Sequence, residues 1–287
     1  MKFVGLVLSL IGLTLAACGA PQPAAPAAPT GIPQQADTVL VPLSYSRETT
    51  QVTLSTLGGD LRLRGGAAEL MQGVITRTVT VAQPSLTAQP GQVGLTQMNP
   101  SGGQSASLGQ AVNQWDLRLN NSTPMQLTIQ GGEQTADLDF GGLYLRGLSL
   151  SQGASTAKLN FSQPNPDDMR RVTINTGASK MELLNLLNAR FSSLLFEGGT
   201  GNYTFDFGGK AQRPAQAQIR VASGMVTIRV PSDVGTRFTA TGVKPSLAGD
   251  WITEGASYLT PNWRKSEALD LTVILTQGDL RLETRAP

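Results

Sequence analysis

From Leu127 onward the chain repeats itself. Two short runs of alternating apolar and polar residues, joined through glycine, recur as LTIQGGEQTADLDF from Leu127, LSLSQGASTAKLNF from Leu148, VTINTGASKMEL from Val172, LLFEGGTGNYTFDF from Leu194 and IRVASGMVTIRV from Ile219. Their reference glycines, Gly132, Gly153, Gly177, Gly199 and Gly224, lie 21, 24, 22 and 25 residues apart. Period-2 alternation marks strands with one buried face. A repeat of this length made only of strand and turn predicts an all-β fold, a β-solenoid or a serially stacked β-array, in which each rung buries its apolar side only against its neighbours. The glycines are expected to supply positive φ at the corners. Asn175 and Asn202 are expected to tolerate left-handed conformations near the turns.

The same alternation appears outside the repeat, in Val52–Leu54, Leu61–Leu63, Val79–Val81 and Leu117–Leu119. The segment VTLSTLGGDLRLRGGAAELMQGVI from Val52 reads as a rung followed by different material. Residues 84–113 are rich in Pro, Gly, Gln and Ser and read as a long loop. Glu182–Phe191 is the one stretch with helical spacing, and it reads as strand and turn within the repeat. In the C-terminal stretch, LDLTVILTQGDLRL from Leu269 reads as the terminal rung. Trp251, Tyr258 and Trp263 before it read as a cap on the open end, with a carbohydrate or ligand platform as the alternative.

The N-terminus carries an address. Lys2, an apolar run from Phe3 to Leu15 and the small residues Ala16 and Ala17 make a secretory signal. The run is shorter than the about 20 residues of a membrane-spanning helix. The signal ends at Cys18, the only cysteine, and Leu15-Ala16-Ala17-Cys18 resembles the lipobox of bacterial lipoproteins. That resemblance implies cleavage before Cys18 and a diacylglycerol on its sulfur; the alternative is a buried core cysteine. Prolines at 21, 23, 26, 29 and 33 then favour an extended tether, reaching roughly 60 Å over residues 19–37 at about 3.1 Å per residue. The expected organisation is a signal peptide at 1–17, a lipid-anchored tether at 18–37, a β-rich section at 38–125, repeats at 126–230 and C-terminal strands or cap at 231–287.

Composition removes several chemistries. The chain has no His, which excludes Ser-His-Asp and Cys-His hydrolases and His-ligated zinc. A lipidated Cys18 leaves no thiol for a disulfide or metal. Lysines and arginines exceed acids by two, 22 against 20, and loss of Lys2 with the signal lowers this to one. No basic footprint for nucleic acid is present. No cofactor is expected. Carboxylate, Lys or Tyr chemistry remains open.

Gly198-Gly199-Thr200-Gly201-Asn202-Tyr203 comes close to a calcium-binding β-roll nonapeptide, but Tyr203 stands where an acidic ligand is needed; it reads as a turn. Asp137, Asp139 and Asp206 alternate with apolar residues and read as solvated positions. The alternative is an acidic ladder or weak cation site if Asp139 and Asp206 face outward. Asp167-Asp168 follows Pro164-Asn165-Pro166 and reads as a turn, with a catalytic carboxylate pair as the alternative. Glu69 and Glu182 lie between apolar residues without a recognisable partner. Arg170-Arg171 and Arg264-Lys265 read as surface charge.

GGDLRLRGGAAELMQGVI resembles the N-terminal part of the toast-rack domain family. ADLDFGGLYLRGLSLSQGASTAKLNFS, VTINTGASKMELLNL and FEGGTGNYTFDFGG resemble its β-repeat region, which is similar to the C-terminal domain of LiaF-type cell-envelope stress proteins and to adhesin-type β-solenoids. The resemblance covers roughly residues 45–230. It implies a single-stranded β-helix with a β-rich N-terminal section and no catalytic residues. Together these readings lead to a non-catalytic cell-envelope protein, attached to a membrane by lipid, that offers a β-solenoid surface to an envelope protein or glycan. Envelope-stress sensing is one version. A surface adhesin or self-assembling structural protein is the alternative, and a polysaccharide-active β-helix enzyme, which needs clustered acids, is a third.

Overall fold

Parallel strands cannot be joined by a hairpin, so a chain that pairs its strands in parallel must travel before it returns. In this protein successive two-armed segments pair in parallel, arm with arm. The computed structural model describes residues 33–43, 48–98, 111–265 and 268–286. The chain divides into two compact units, Met1–Gly31 and Ile32–Pro287. The first unit, with Cys18 and most of the Pro/Ala-rich segment, lies outside the described residues. The second contains the whole described core, one continuous apolar cluster, and therefore has what it needs to fold as a unit.

The fold is all-β. In chain order the strands are β1 (Gln34–Val41), β2 (Thr50–Gly65), β3 (Met71–Thr78), β4 (Ser85–Gln89), β5 (Gln92–Thr96), β6 (Asn113–Leu119), β7 (Met125–Asp139), β8 (Leu145–Gln152), β9 (Ser155–Asn160), β10 (Met169–Thr176), β11 (Ser179–Leu184), β12 (Phe191–Asp206), β13 (Ala215–Pro231), β14 (Thr236–Gly242), β15 (Ser246–Ala248), β16 (Ile252–Glu254), β17 (Ser257–Leu259) and β18 (Leu269–Arg285). Each rung has two arms meeting at a corner. Some rungs are one long bent strand (β2, β7, β12, β13, β18), and others are split at the corner (β8/β9, β10/β11). Because β7 and β12 run unbroken through the corner, their pairings close a ring of parallel strands, β7–β8–β10–β12–β11–β9–β7.

In space the parallel rungs follow the order β5/β6, β2, β7, β8/β9, β10/β11, β12, β13, β18, β14/β15. The register aligns like with like. On the first arm one column reads Leu95, Leu54, Ile129, Leu150, Ile174, Phe196, Ile219, Val273 and Ala240. On the second arm another reads Leu117, Leu63, Leu138, Leu159, Leu183, Phe205, Ile228, Leu282 and Leu247. All but Ala240 and Leu247, at the C-terminal end, are buried. Each such side chain contributes roughly 1.5–3 kcal/mol on burial.

The corner is lined inside by polar groups, several of which pair with one another, while both side-chain polar atoms of the buried Gln152 are without a partner. The Ser155 and Ser179 hydroxyls lie 3.0 Å apart, and Thr176 and Ser179 lie 2.5 Å apart. Thr56 donates to Gln134 at 2.9 Å. The glycines there act differently from expectation. Among the described residues Gly132, Gly153, Gly177 and Gly199 lack positive φ, whereas Gly224 has φ +130°. In the central rungs the requirement is close approach: the Gly177 N–H donates to Gly153 O at 3.0 Å, and a Cβ on Gly199 would sit 2.9 Å from Gly177 O. Asn175 and Asn202 lie within strands. Among the described residues the non-glycine left-handed ones are Asn185 and Arg190, which flank a 3-10 turn at Leu186–Ala189. Glu182–Phe191 is thus strand, turn and the first residue of the next strand.

Three further readings change. Residues 84–113 are not one loop, since they hold β4 and β5, joined by a tight Pro90-Gly91 turn with Gly91 at φ +76°. Val79–Val81 is a turn after β3. The segment from Leu269 is not the terminal rung: β18 sits between β13 and β14/β15. The N-terminal end mirrors this, with β2 between β5/β6 and β7. Beyond the parallel stack, antiparallel strands close both ends: β4 on β5 and β3–β1 on β6 at one, β17–β16 on β14 at the other.

Gly224→Ala places a Cβ 1.8 Å from Gly201 O at a positive φ. We expect a cost of about 3 kcal/mol or more and a fall in Tm of roughly 6–12 °C by calorimetry. Gly91→Ala, also at positive φ but with nothing within 4 Å of the added Cβ, should cost only about 1–2 kcal/mol. Equal shifts for the two would show that backbone approach between rungs is not the governing constraint.

Candidate functional site: the outer faces of the stack

Because successive strand residues alternate sides, the register that buries one set of columns exposes another. On the first arm the outward column reads Gly94, Thr53, Thr128, Ser149, Thr173, Leu195, Gln218, Thr272 and Thr239. From Thr53 to Thr239 these side chains are half-buried, giving a flat, uncharged, hydroxyl-rich strip. On the second arm the outward column begins Asp116, Arg62, Asp137, Lys158, Glu182. Its signs alternate rung by rung, so each charge has opposite neighbours about 4.8 Å away.

Asp137 belongs to this ladder and also accepts from Arg64 Nη2 at 2.5 Å. That hydrogen bond, with the coulombic pull of Arg64, Lys158 and Arg62, outweighs desolvation and holds its carboxyl below the usual range. The same bond raises the Arg64 guanidinium above its ordinary value. Asp139 caps Gly141 N–H at 2.9 Å. Asp206 does not face outward. It is buried, accepts from Gly208 N–H at 2.8 Å, and pairs with Arg285 at 2.8 Å, tying the end of β18 to β12. The three aspartates therefore do not converge on one another.

Asp167 and Asp168 are each occupied. Asp167 accepts from the Asp168 N–H at 2.6 Å and from Tyr144 Oη at 3.0 Å, and these bonds lower its pKa. Arg146 adds a pair at 2.9 Å. Asp168 is gripped by Arg190 at 2.8 Å and Arg213 at 2.7 Å. This is a corner clamp across neighbouring rungs. Glu69 accepts from the Leu43 N–H at 3.0 Å, and Glu182 stands in the charge ladder. Tyr203 is buried on Phe196 and donates to Gly177 O at 3.2 Å, and burial raises its pKa; the Gly198–Tyr203 segment is strand rather than an ion-binding loop. Arg170 and Arg171 are exposed, and Arg264 pairs with Glu254 at 3.0 Å. Among the described residues no group of three or more acids is gathered to hold a metal ion.

The C-terminal aromatics have structural partners. Trp251 donates to Ala248 O at 3.3 Å, Tyr258 packs 6.2 Å from the Phe238 ring, and Trp263 lies under the Arg237 guanidinium at 5.3 Å. What residue types alone did not reveal is a shallow groove of about 610 Å³ running across rungs β8 to β18, past Gln152, Asn175, Glu197, Arg220 and Ile274. Its polar groups come from different repeats, and only the register aligns them. Glu197 and Arg220 pair across it at 3.3 Å. No helix among the described residues is long and apolar enough to cross a membrane.

A family profile described as the N-terminal domain of toast_rack, DUF2154, matches residues 31–184, more than half of the chain. The chain belongs to the toast_rack N-terminal domain family. Two solved structures are similar to it in fold. One is a candidate cell adhesion protein from Clostridium sporogenes, at 18% identity over 88% of this chain and 99% of that one, with a TM-score of 0.46. The other is a candidate adhesin from Bacteroides fragilis, at 10% identity over 89% and 98%, with a TM-score of 0.42. No curated protein matches the chain.

The lowered pKa of Asp137 fixes a sign. Its ionised form is favoured by folding, so its contribution is present above its unfolded pKa near 3.9 and is lost as pH falls through the still lower folded value. The pair is half exposed, so solvent keeps the contribution below about 1 kcal/mol. Asp137→Asn should lower stability slightly at pH 7 and leave it unchanged near pH 2, as measured by denaturant melts. A deficit that grows on acidification would contradict the ladder.

Proposed function

We propose that this is a non-catalytic, lipid-anchored protein of the cell envelope whose stacked rungs form a β-solenoid presenting its outer faces to an envelope protein or glycan. The observation that carries this reading is the uncharged, hydroxyl-rich strip from Thr53 to Thr239, interrupted at Leu195 and Gln218. A long, flat, neutral face with no catalytic convergence suits an extended partner better than a small reacting substrate. The carboxylates weighed as acid–base candidates support it, because they are engaged in caps, clamps and a ladder. The lipobox-like Leu15–Cys18 and the proline-rich stretch after it support attachment by lipid on the outer side of the cytoplasmic membrane or at an outer membrane. Sensing of envelope stress is the version in which the bound partner is a signalling protein.

The C-terminal edges are poor templates for pairing, since β15 and β16 are three residues each, whereas β1 at the other end is eight residues long and pairs with β3 on one side, which keeps self-assembly as the second reading. Two experiments test the reading. Cys18→Ser should abolish metabolic labelling by an alkyne fatty acid and move the protein out of the membrane fraction; retention of label would remove the anchor. Full-length protein should capture a defined envelope partner, and the double substitution Thr128→Arg, Thr173→Arg should reduce capture at least tenfold while Lys158→Glu on the other arm leaves it intact. Equal capture by all three would show that the hydroxyl strip is not the binding face.

A further inference from the structure

Among the described residues, β1, β4, β15 and β16 are each paired on one side alone. β4 has five residues, and β15 and β16 have three each. β1 is longer, with eight residues between Pro33 and Pro42. It lacks the usual devices that blunt an edge, since no Lys or Pro lies within Gln34–Val41. Its one charge, Asp37, is tied to Arg77 at 2.7 Å. Leu40, near its C-terminal end, is 61% exposed.

Two hydrogen bonds show which backbone groups of β1 are free. Along an antiparallel strand, successive residues bond alternately to one side and the other. The Val79 N–H donates to Pro33 O at 3.1 Å, whereas the Thr78 N–H turns the other way, to Val112 O at 2.9 Å. The register continues from Pro33 and Val79 through Gln35 on Arg77, Asp37 on Ile75 and Val39 on Gly73. The odd-numbered residues of β1 therefore bond to β3. Gln34, Ala36, Thr38 and Leu40 direct their N–H and C=O groups to the open edge, and their side chains lie on the exposed face.

Such an edge is self-complementary about Thr38. A second copy laid antiparallel, with Thr38 on the two-fold axis, brings each free N–H of Ala36, Thr38 and Leu40 to a free C=O, making about six backbone hydrogen bonds. Leu40 of each copy then packs on Ala36 of the other, large on small, and Thr38 meets Thr38, a favourable cross-strand pair. Moving the axis to Asp37 would set two carboxylates opposite each other in the closer, non-hydrogen-bonded kind of pair, which is unfavourable. We propose that the protein forms a two-fold dimer through β1, joining two stacks by a continuous antiparallel sheet. Because the contact is isologous, it closes at two copies and builds no filament. This rests on the self-assembly reading above and is independent of the lipid anchor and the hydroxyl-rich strip.

The test uses the compact unit of residues 32–287, which carries no cysteine. A contact this small lies below the standard interface size, so sedimentation velocity should show a monomer–dimer equilibrium with Kd of about 10–100 μM. Leu40→Lys puts a charge on the edge at an exposed position and should weaken the dimer at least about tenfold with Tm unchanged. Thr38→Pro removes an N–H that β3 does not use and should cause a similar loss. Thr38→Cys should oxidise to a covalent dimer, because the Cα atoms of a hydrogen-bonded pair lie about 5.5 Å apart, within reach of a disulfide. Ala36→Cys should not, because the two Ala36 residues are four positions out of register, about 13 Å apart. A dimer that persists in both folded edge variants, or that crosslinks through Ala36→Cys instead of Thr38→Cys, leaves self-assembly standing and overturns the β1 contact. A species that stays monomeric well above this concentration range overturns both, and open-ended growth overturns the two-fold closure.

Discussion

Everything in this protein depends on the parallel hydrogen-bonded register between successive rungs. A rung cannot satisfy its own backbone, since its N–H and C=O groups point along the stack and need a strand on each side. The same register decides which side chains meet. It places Ile129 against Leu150 and Ile174 in the core and at the same time places Thr128 against Ser149 and Thr173 outside. Core and candidate surface are two faces of one constraint. A slip by one residue would turn both inside out.

A stack of this kind has a problem at its ends, where backbone groups face solvent or another chain. Both ends meet it in the same way. A strand distant in sequence is inserted inside the outermost rung: β2 beneath β5/β6 and β18 beneath β14/β15. The last long strand therefore cannot fray alone, because it is paired on both sides, and Arg285 near its end is tied to the buried Asp206. The exposed edges left over are short or antiparallel. This arrangement confers resistance to peeling from the termini at the cost of long-range pairings, Gly224 with Gly278 for example, which close slowly in folding.

The chemistry that the acids suggested as isolated residues is absorbed by the same architecture. Asp137 joins a ladder of alternating charge, Asp167 and Asp168 are clamped by arginines from neighbouring rungs, and Asp206 caps the turn after β12. Among the described residues the remaining surface features are a hydroxyl-rich strip and a shallow groove across five rungs.

The alternation of apolar and polar residues was enough to define the arms, their buried faces and the all-β class, because a strand's periodicity is a local property of the chain. The recurrence of glycine located the corners for the same reason. The sequence did not reveal why those glycines are needed in the central rungs, since contact between Gly153, Gly177 and Gly199 exists only once rungs stack. Nor did it show that β18 and β2 lie one rung inside the ends, that β4 and β5 emerge from a Gln-, Pro- and Gly-rich stretch, or that Asp206 points inward. Periodicity says which side of a strand is buried, but not which strand lies beside it. Neighbour choice depends on the summed hydrogen bonding and packing of residues tens of positions apart, and only the tertiary structure decided it.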